Sequence, residues 1–144
     1  MVLLTIIIIY NFSGETAKES TETSGGLINS ILELFLPKEE ITEELVTKFQ
    51  NPFRKLAHFA IYALLGFCFA NAFNNSFNFK HLYKYLLSFA STTIYASFDE
   101  IRQNFVENRG PSFKDVIIDS FGGLTGILLF TFMIYLINKS KLKN

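Results

Sequence analysis

The run VIIDSFGGLTGILLFTFMIYLIN, Val116 to Asn138, leaves few folds open. It is apolar all round and carries no charge beyond Asp119. About 20 such residues suffice for a helix to cross the hydrocarbon core of a bilayer. Two further segments approach that length, LAHFAIYALLGFCFANAF (Leu56 to Phe73) and LYKYLLSFASTTIYASF (Leu82 to Phe98). In lipid every backbone polar group must be satisfied within the segment, so helices are the economical reading. The expectation is an all-α integral membrane bundle of about four transmembrane helices.

Composition agrees. Charged residues make up 18% of the 144, below the roughly 25% of an average soluble domain, and mean hydropathy is +0.27. Net charge is zero, which gives nucleic acid no electrostatic footprint. The single Cys68 cannot form an internal disulfide, and no cysteine cluster suggests zinc. The length fits one domain. Residues 1–12 read as a short or incomplete first helix and 13–54 as an outer connection. Core helices two to four occupy 55–138, and 139–144 form a cytoplasmic tail.

Loop charges set the expected orientation. Lys80 and Lys84 lie on one connection, and Lys139, Lys141 and Lys143 on the tail. An even number of spans separates these groups, so both are read as cytoplasmic. The acidic 13–52 stretch and the 99–115 connection then face outward. Arg54, Lys55, Arg102, Arg109 and Lys114 stand on that outer side against the positive-inside rule, which suggests a task beyond topology. Within the first connection, GGLINSILELFLP carries apolar residues at 27, 28, 31, 32, 34, 35 and 36. That spacing predicts a short amphipathic helix ending before Pro37. EEITEELVTKFQNP reads as a second helix stopped at Pro52.

Helical spacing gathers the outer polar groups. Lys55, His58, Tyr62 and Gly66 share one face of helix two. Ser88, Thr92, Tyr95, Asp99 and Gln103 share one of helix three. Asp115 and Asp119 share one of helix four, continued by Gly123 and Gly126, while Gly122 and Gly126 form G-x-x-x-G, a close-packing pattern. The simplest packing turns these faces together into an outward pocket. An Asp at mid-span costs about 2.5–3.5 kcal/mol on insertion scales and less near the interface. Arg102, Arg109, Lys55 or Lys114 could balance the carboxylates. The competing reading makes Glu100, Arg102 and Lys114 solvated loop charges, and Asp115 and Asp119 carboxylates favoured by the helix dipole. It accounts for Asp119 poorly, because that residue lies a turn inside.

These blocks, RKLAHFAIYALLGF and YASFDEIRQNFVENRGPSFKDVIIDSFGGLTG, resemble the VanZ-like family. Lys55, His58, Phe59, Tyr62, Leu65 and Gly66 match its first motif. Asp99, Glu100, Gln103, Phe105 and Arg109 match the second, and Asp115, Asp119, Gly122 and Gly126 the third. The sequence departs at Arg102, where many members carry His, and at Glu107 and Asn108, where many carry Pro-Gly. The resemblance implies a small four-helix protein of the bacterial plasma membrane. Its founding member is associated with resistance to teicoplanin, a lipid-tailed glycopeptide.

Three functions compete. One is binding or chemical handling of an amphiphile, with a membrane lipid or lipid-linked headgroup as partner. In it Lys55, Arg109 and Arg102 clamp an anion, while Asp99, Glu100, Asp119 and His58 carry protons. A second is a non-catalytic envelope protein whose polar cluster serves helix assembly. A third is a small proton-coupled lipid carrier, which with four spans would call for an oligomer, the Gly122/Gly126 face being a candidate contact equally usable within one chain. No catalytic residue is assigned. The expectation is no cofactor and no resident metal, although His58 with Asp99, Glu100 or Asp119 could form a ligand set. A serine nucleophile lacks support, since only two His residues exist and His81 is read as cytoplasmic.

Overall fold

A computed structural model describes residues 1–107 and 110–141. Among them every regular element is helical, and there is no strand. The order is α1 (Val2–Ser13), α2 (Ala17–Leu32), a 3-10 turn (Lys38–Glu40), α3 (Glu43–Ser76), α4 (His81–Gln103) and α5 (Phe113–Lys141). Among the described residues only α3 and α5 are long and apolar enough to cross a membrane by length and composition. The fold is therefore all-helical as expected, with five α-helices among the described residues.

The helix boundaries correct the sequence reading in two places. First, α2 begins at Ala17 rather than near Gly25 and ends at Leu32. Thr16 and Glu19 form a reciprocal capping box, the Thr16 side chain accepting from the Glu19 N–H and the Glu19 carboxylate accepting from the Thr16 N–H. Those bonds hold the Glu19 carboxyl below its ordinary range. Second, Pro52 does not stop a helix, because α3 runs through it from Glu43 to Ser76. A proline inside a helix forfeits one backbone bond and costs about 3 kcal/mol. Packing of α2 on the first turns of α3, with Ile28 and Val46 buried, opposes that cost.

Helix α5 crosses α3 through glycine. A Cβ on Gly122 would run into the Phe59 carbonyl, one on Gly126 into the Ala63 carbonyl, and one on Gly66 into the Gly123 backbone. Gly123 faces the Thr92 side chain of α4. The glycine face weighed as an oligomer contact is thus occupied within this chain. Only backbones without side chains reach such proximity, and dispersion across the crossing holds the pair.

The bundle buries polar groups beside its apolar clusters, and much of its surface is apolar. On α4 the buried residues are Lys84, Ser88, Thr92, Ala96, Asp99, Glu100 and Gln103, while Leu82, Leu86, Phe89, Ile94, Phe98 and Ile101 are exposed. On α1 the buried residues are Thr5, Ile9 and Ser13. Tyr62, Leu65, Ile9 and Ala96 form an apolar core below the polar groups. Ser88 and Thr92 return their hydroxyls to carbonyls one turn back, which satisfies them without a partner helix.

Candidate functional site: a polar cavity joined to an apolar groove

The end of α4, the start of α5 and the 54–58 stretch inside α3 meet near Gly110 and hold two polar clusters rather than one. Asp99 and Glu100 are adjacent in sequence, and α4 turns them toward different neighbours.

Asp99 faces α1. Its Oδ2 accepts from the Ser13 hydroxyl at 2.6 Å, and its Oδ1 accepts from Arg102 Nη2 at 3.1 Å. Gln103 Nε2 donates to Ser13 Oγ at 2.9 Å. Arg102 also donates to the Tyr10 carbonyl, and its guanidinium lies 4.2 Å from the Tyr10 ring centre. Gly14 gives Arg102 room, since a Cβ there would stand 2.9 Å from Nη1. The Tyr95 hydroxyl donates to the Ile6 carbonyl. These contacts fasten the short α1 to α4. The carboxylate accepts charge-assisted bonds from both neighbours. This corrects the expectation of one pocket holding all the carboxylates, because Asp99 does not line the cavity described next.

Glu100 faces the other way. A cavity of about 150 Å³ is lined by Arg54, Lys55, His58, Glu100, Gln103, Gly110, Asp115, Ile118 and Asp119. Lys55 Nζ lies 3.4 Å from Asp115, with side chains 39% and 29% exposed, so this pair stands nearest solvent. Deeper, His58 Nδ1 lies 3.6 Å from Asp119 Oδ2, with side chains 22% and 1% exposed. Glu100 accepts from the Ser112 backbone N–H at 2.8 Å. Ser112 in turn accepts from the Asp115 N–H at the start of α5. Tyr62 stacks below His58 with ring centres 6.5 Å apart.

Asp119 is the anomaly. Both its oxygens are buried and neither has a hydrogen-bond partner among the described residues. Such a group is costly unless something else satisfies it. Its neighbour His58 sits beyond hydrogen-bond reach but inside ion-pair distance. The Tyr62 hydroxyl is likewise buried and makes no hydrogen bond within 3.5 Å among the described residues.

The sequence reading left Arg54 out of the site. It lines the polar cavity and also a second cavity of about 250 Å³ between α1, α2 and α3. That second space is apolar, with Ile8, Ile9, Phe12, Leu27, Phe53 and Ile61 among its walls. His58 lines both as well. Arg54 and His58 are four apart, so one face of α3 forms the partition. Among the described residues Arg54 makes no ion pair within 4 Å. The i, i+4 spacing to His58 was the available signal.

The VanZ/LLP1 family model matches residues 1–135. The chain belongs to the VanZ/LLP1 family. No curated protein and no solved structure matches it. Of the residues that carry the VanZ-like motifs, Lys55, His58, Glu100, Gln103, Asp115 and Asp119 line the polar cavity. Tyr62 lies beneath it, Asp99 beside it against α1, and Gly66, Gly122 and Gly126 at the α3–α5 crossing. Arg109 lies outside the described residues. Lys114 is exposed. Among the described residues no three His, Cys, Asp or Glu side chains come together to hold a metal ion, so the ligand set of His58 with the nearby carboxylates is not assembled. Chemically, the cavity offers two cations, an imidazole next to a buried carboxylate, and two further carboxylates. It can bind a polar group and exchange a proton with it.

Proposed function

We propose that the chain is a membrane-embedded protein that binds, or acts on, an amphiphile at the outer leaflet. The observation that carries this reading is the pairing of cavities. A polar space of about 150 Å³ and an apolar space of about 250 Å³ share Arg54 and His58 as a common wall. A molecule with a polar head and a hydrocarbon tail matches both at once, and a purely polar solute uses only one. The tail of such a ligand adds about 0.8 kcal/mol for each buried CH₂.

Four spans are supported by the outward face of α4. Its composition falls short of the apolar test because its polar residues point into the bundle, while Leu82, Leu86, Phe89, Ile94, Phe98 and Ile101 point out. Helix α1, about 18 Å long at 1.5 Å per residue, would be a short first span. The lysines of the α3–α4 connection and of the C-terminus favour a cytoplasmic tail.

Family membership makes tolerance to a lipid-tailed glycopeptide the natural assay. The chain is expressed in a glycopeptide-susceptible bacterium, and tolerance to teicoplanin is compared with tolerance to vancomycin, which lacks the tail. Selective teicoplanin tolerance, lost in Asp119→Asn at matched membrane levels, supports an amphiphile-directed role for the cavity. Tolerance retained in Asp119→Asn favours a passive binding protein. No tolerance from well-inserted wild type removes the resistance link.

A further inference from the structure

The charges around the polar cavity do not cancel everywhere. Lys55 and Asp115 pair with each other near the opening, and Glu100 is engaged by the Ser112 N–H. Asp115 Oδ1 makes no hydrogen bond but faces the Lys55 ammonium, so among the described residues the least engaged groups are one cation and one carboxylate. Arg54, partly buried, has no ion pair among the described residues. Asp119, 1% exposed, lines the cavity with no hydrogen bond to either oxygen. His58 beside it carries charge only when protonated, and at 3.6 Å it leaves the carboxylate lone pairs unfilled. A simple anion would answer Arg54 and be repelled by Asp119 and Glu100. A simple cation would do the reverse. A ligand with both charges answers both.

We propose that the polar cavity takes a zwitterionic aminoalkyl-phosphate headgroup, its phosphate at Arg54 and its ammonium N–H donors at Asp119 with Glu100 beside it. The position of Arg54 agrees, because it stands where the polar cavity meets the apolar groove. In a phospholipid the phosphate lies between the tails and the amine. A lipid with its chains in the groove therefore presents phosphate at the partition and amine at depth. The space suffices, since about 150 Å³ is several times the roughly 30 Å³ that one water occupies in the liquid. Placing the assignment on a lipid rests on the amphiphile reading above.

The test uses the full chain purified in detergent and titrated with three dilauroyl phospholipids, read by native mass spectrometry. Phosphatidylethanolamine has three ammonium N–H donors, phosphatidylcholine has none, and phosphatidylglycerol has the phosphate without an amine. Phosphatidylethanolamine is expected to bind about tenfold tighter than either, the scale of one hydrogen bond to a charged group. Asp119→Asn should bring the three close to parity, and Arg54→Gln should weaken all three alike. Equal binding of the three lipids to wild type overturns the headgroup assignment and leaves the amphiphile reading standing. An unchanged preference in Asp119→Asn also overturns it. Soluble phosphoethanolamine binding as tightly as its lipid would keep the headgroup assignment and remove the amphiphile reading. No binding by any probe overturns both. The wild-type comparison needs no variant to fold.

Discussion

Replacing Asp99 by Asn should loosen α1, and Cys68 can report it. Asp99 Oδ2 accepts from Ser13 and Oδ1 from Arg102. An amide supplies one acceptor where the carboxylate supplies two, and it carries no charge to balance Arg102. Breaking a buried ion pair costs about 3–5 kcal/mol, and one hydrogen bond to a charged group about 1.5–3 kcal/mol. Arg102 keeps the Tyr10 carbonyl and the Tyr10 ring, which puts the expectation nearer 2–4 kcal/mol. The loss falls on the docking of α1, because Ser13, Tyr10 and the neighbouring backbone are the other partners. Cys68 is 4% exposed and sits 3.8 Å from the Thr5 hydroxyl of α1. It is the sole cysteine, so its labelling by a small maleimide in detergent measures how often α1 lifts away. At 1.4 kcal/mol per factor of ten, labelling should accelerate about 30- to 700-fold in Asp99→Asn. Asp119→Asn removes the pairing with His58 and no hydrogen bond to α1 among the described residues, and should leave the rate within about threefold. Equal rates for wild type and Asp99→Asn would refute the reasoning. So would equal acceleration by the two variants, since the two clusters would then be one.

Two glycines should respond in opposite senses. Gly126→Ala forces α3 and α5 apart against the Ala63 carbonyl, at a cost of about 1–3 kcal/mol or more. Gly26→Ala meets nothing within 4 Å on the exposed middle of α2 and should gain about 0.5–1 kcal/mol, so thermal midpoints in detergent should fall for the first and hold or rise for the second. Ala57 lines the apolar groove, and Ala57→Trp should fill it. Binding of long-chain phospholipids should then weaken at least tenfold while that of short-chain analogues with the same headgroup changes little; equal weakening of both would show that the groove holds no tail.

The inward faces of the helices were legible because period and polarity coincide. Ser88, Thr92, Asp99 and Gln103 fall on one stripe of α4, and that stripe is buried. The glycine crossing was legible for the same reason, as small residues at spacing four carry one meaning in an apolar helix. The division between Asp99 and Glu100 was not legible. Which of two adjacent carboxylates meets which neighbour depends on the rotation of α4 and on α1, and nothing local to Asp99 names Ser13 as its donor 86 positions away. Pro52 misled because its local preference is real, and only the packing of α2 on α3 outweighs it. The start of α2 was written in the T-x-x-E pattern at Thr16 and Glu19, which the apolar spacing further along overshadowed. Arg54 stood out as an outer basic residue yet fell outside the site, because Lys55, next to it, belongs to the motif.

The glycine crossing has a consequence for how such a chain can vary. The separation of α3 and α5 is set by what is missing at Gly66, Gly122 and Gly126, and owes nothing to the bulk of the residues facing away. Outward positions such as Leu128, Leu129 and Phe132 can therefore exchange among apolar types without moving Asp119 relative to His58. The spacing of the site is written in the smallest side chains of the crossing helices, and the large outward ones are left to suit their apolar surroundings.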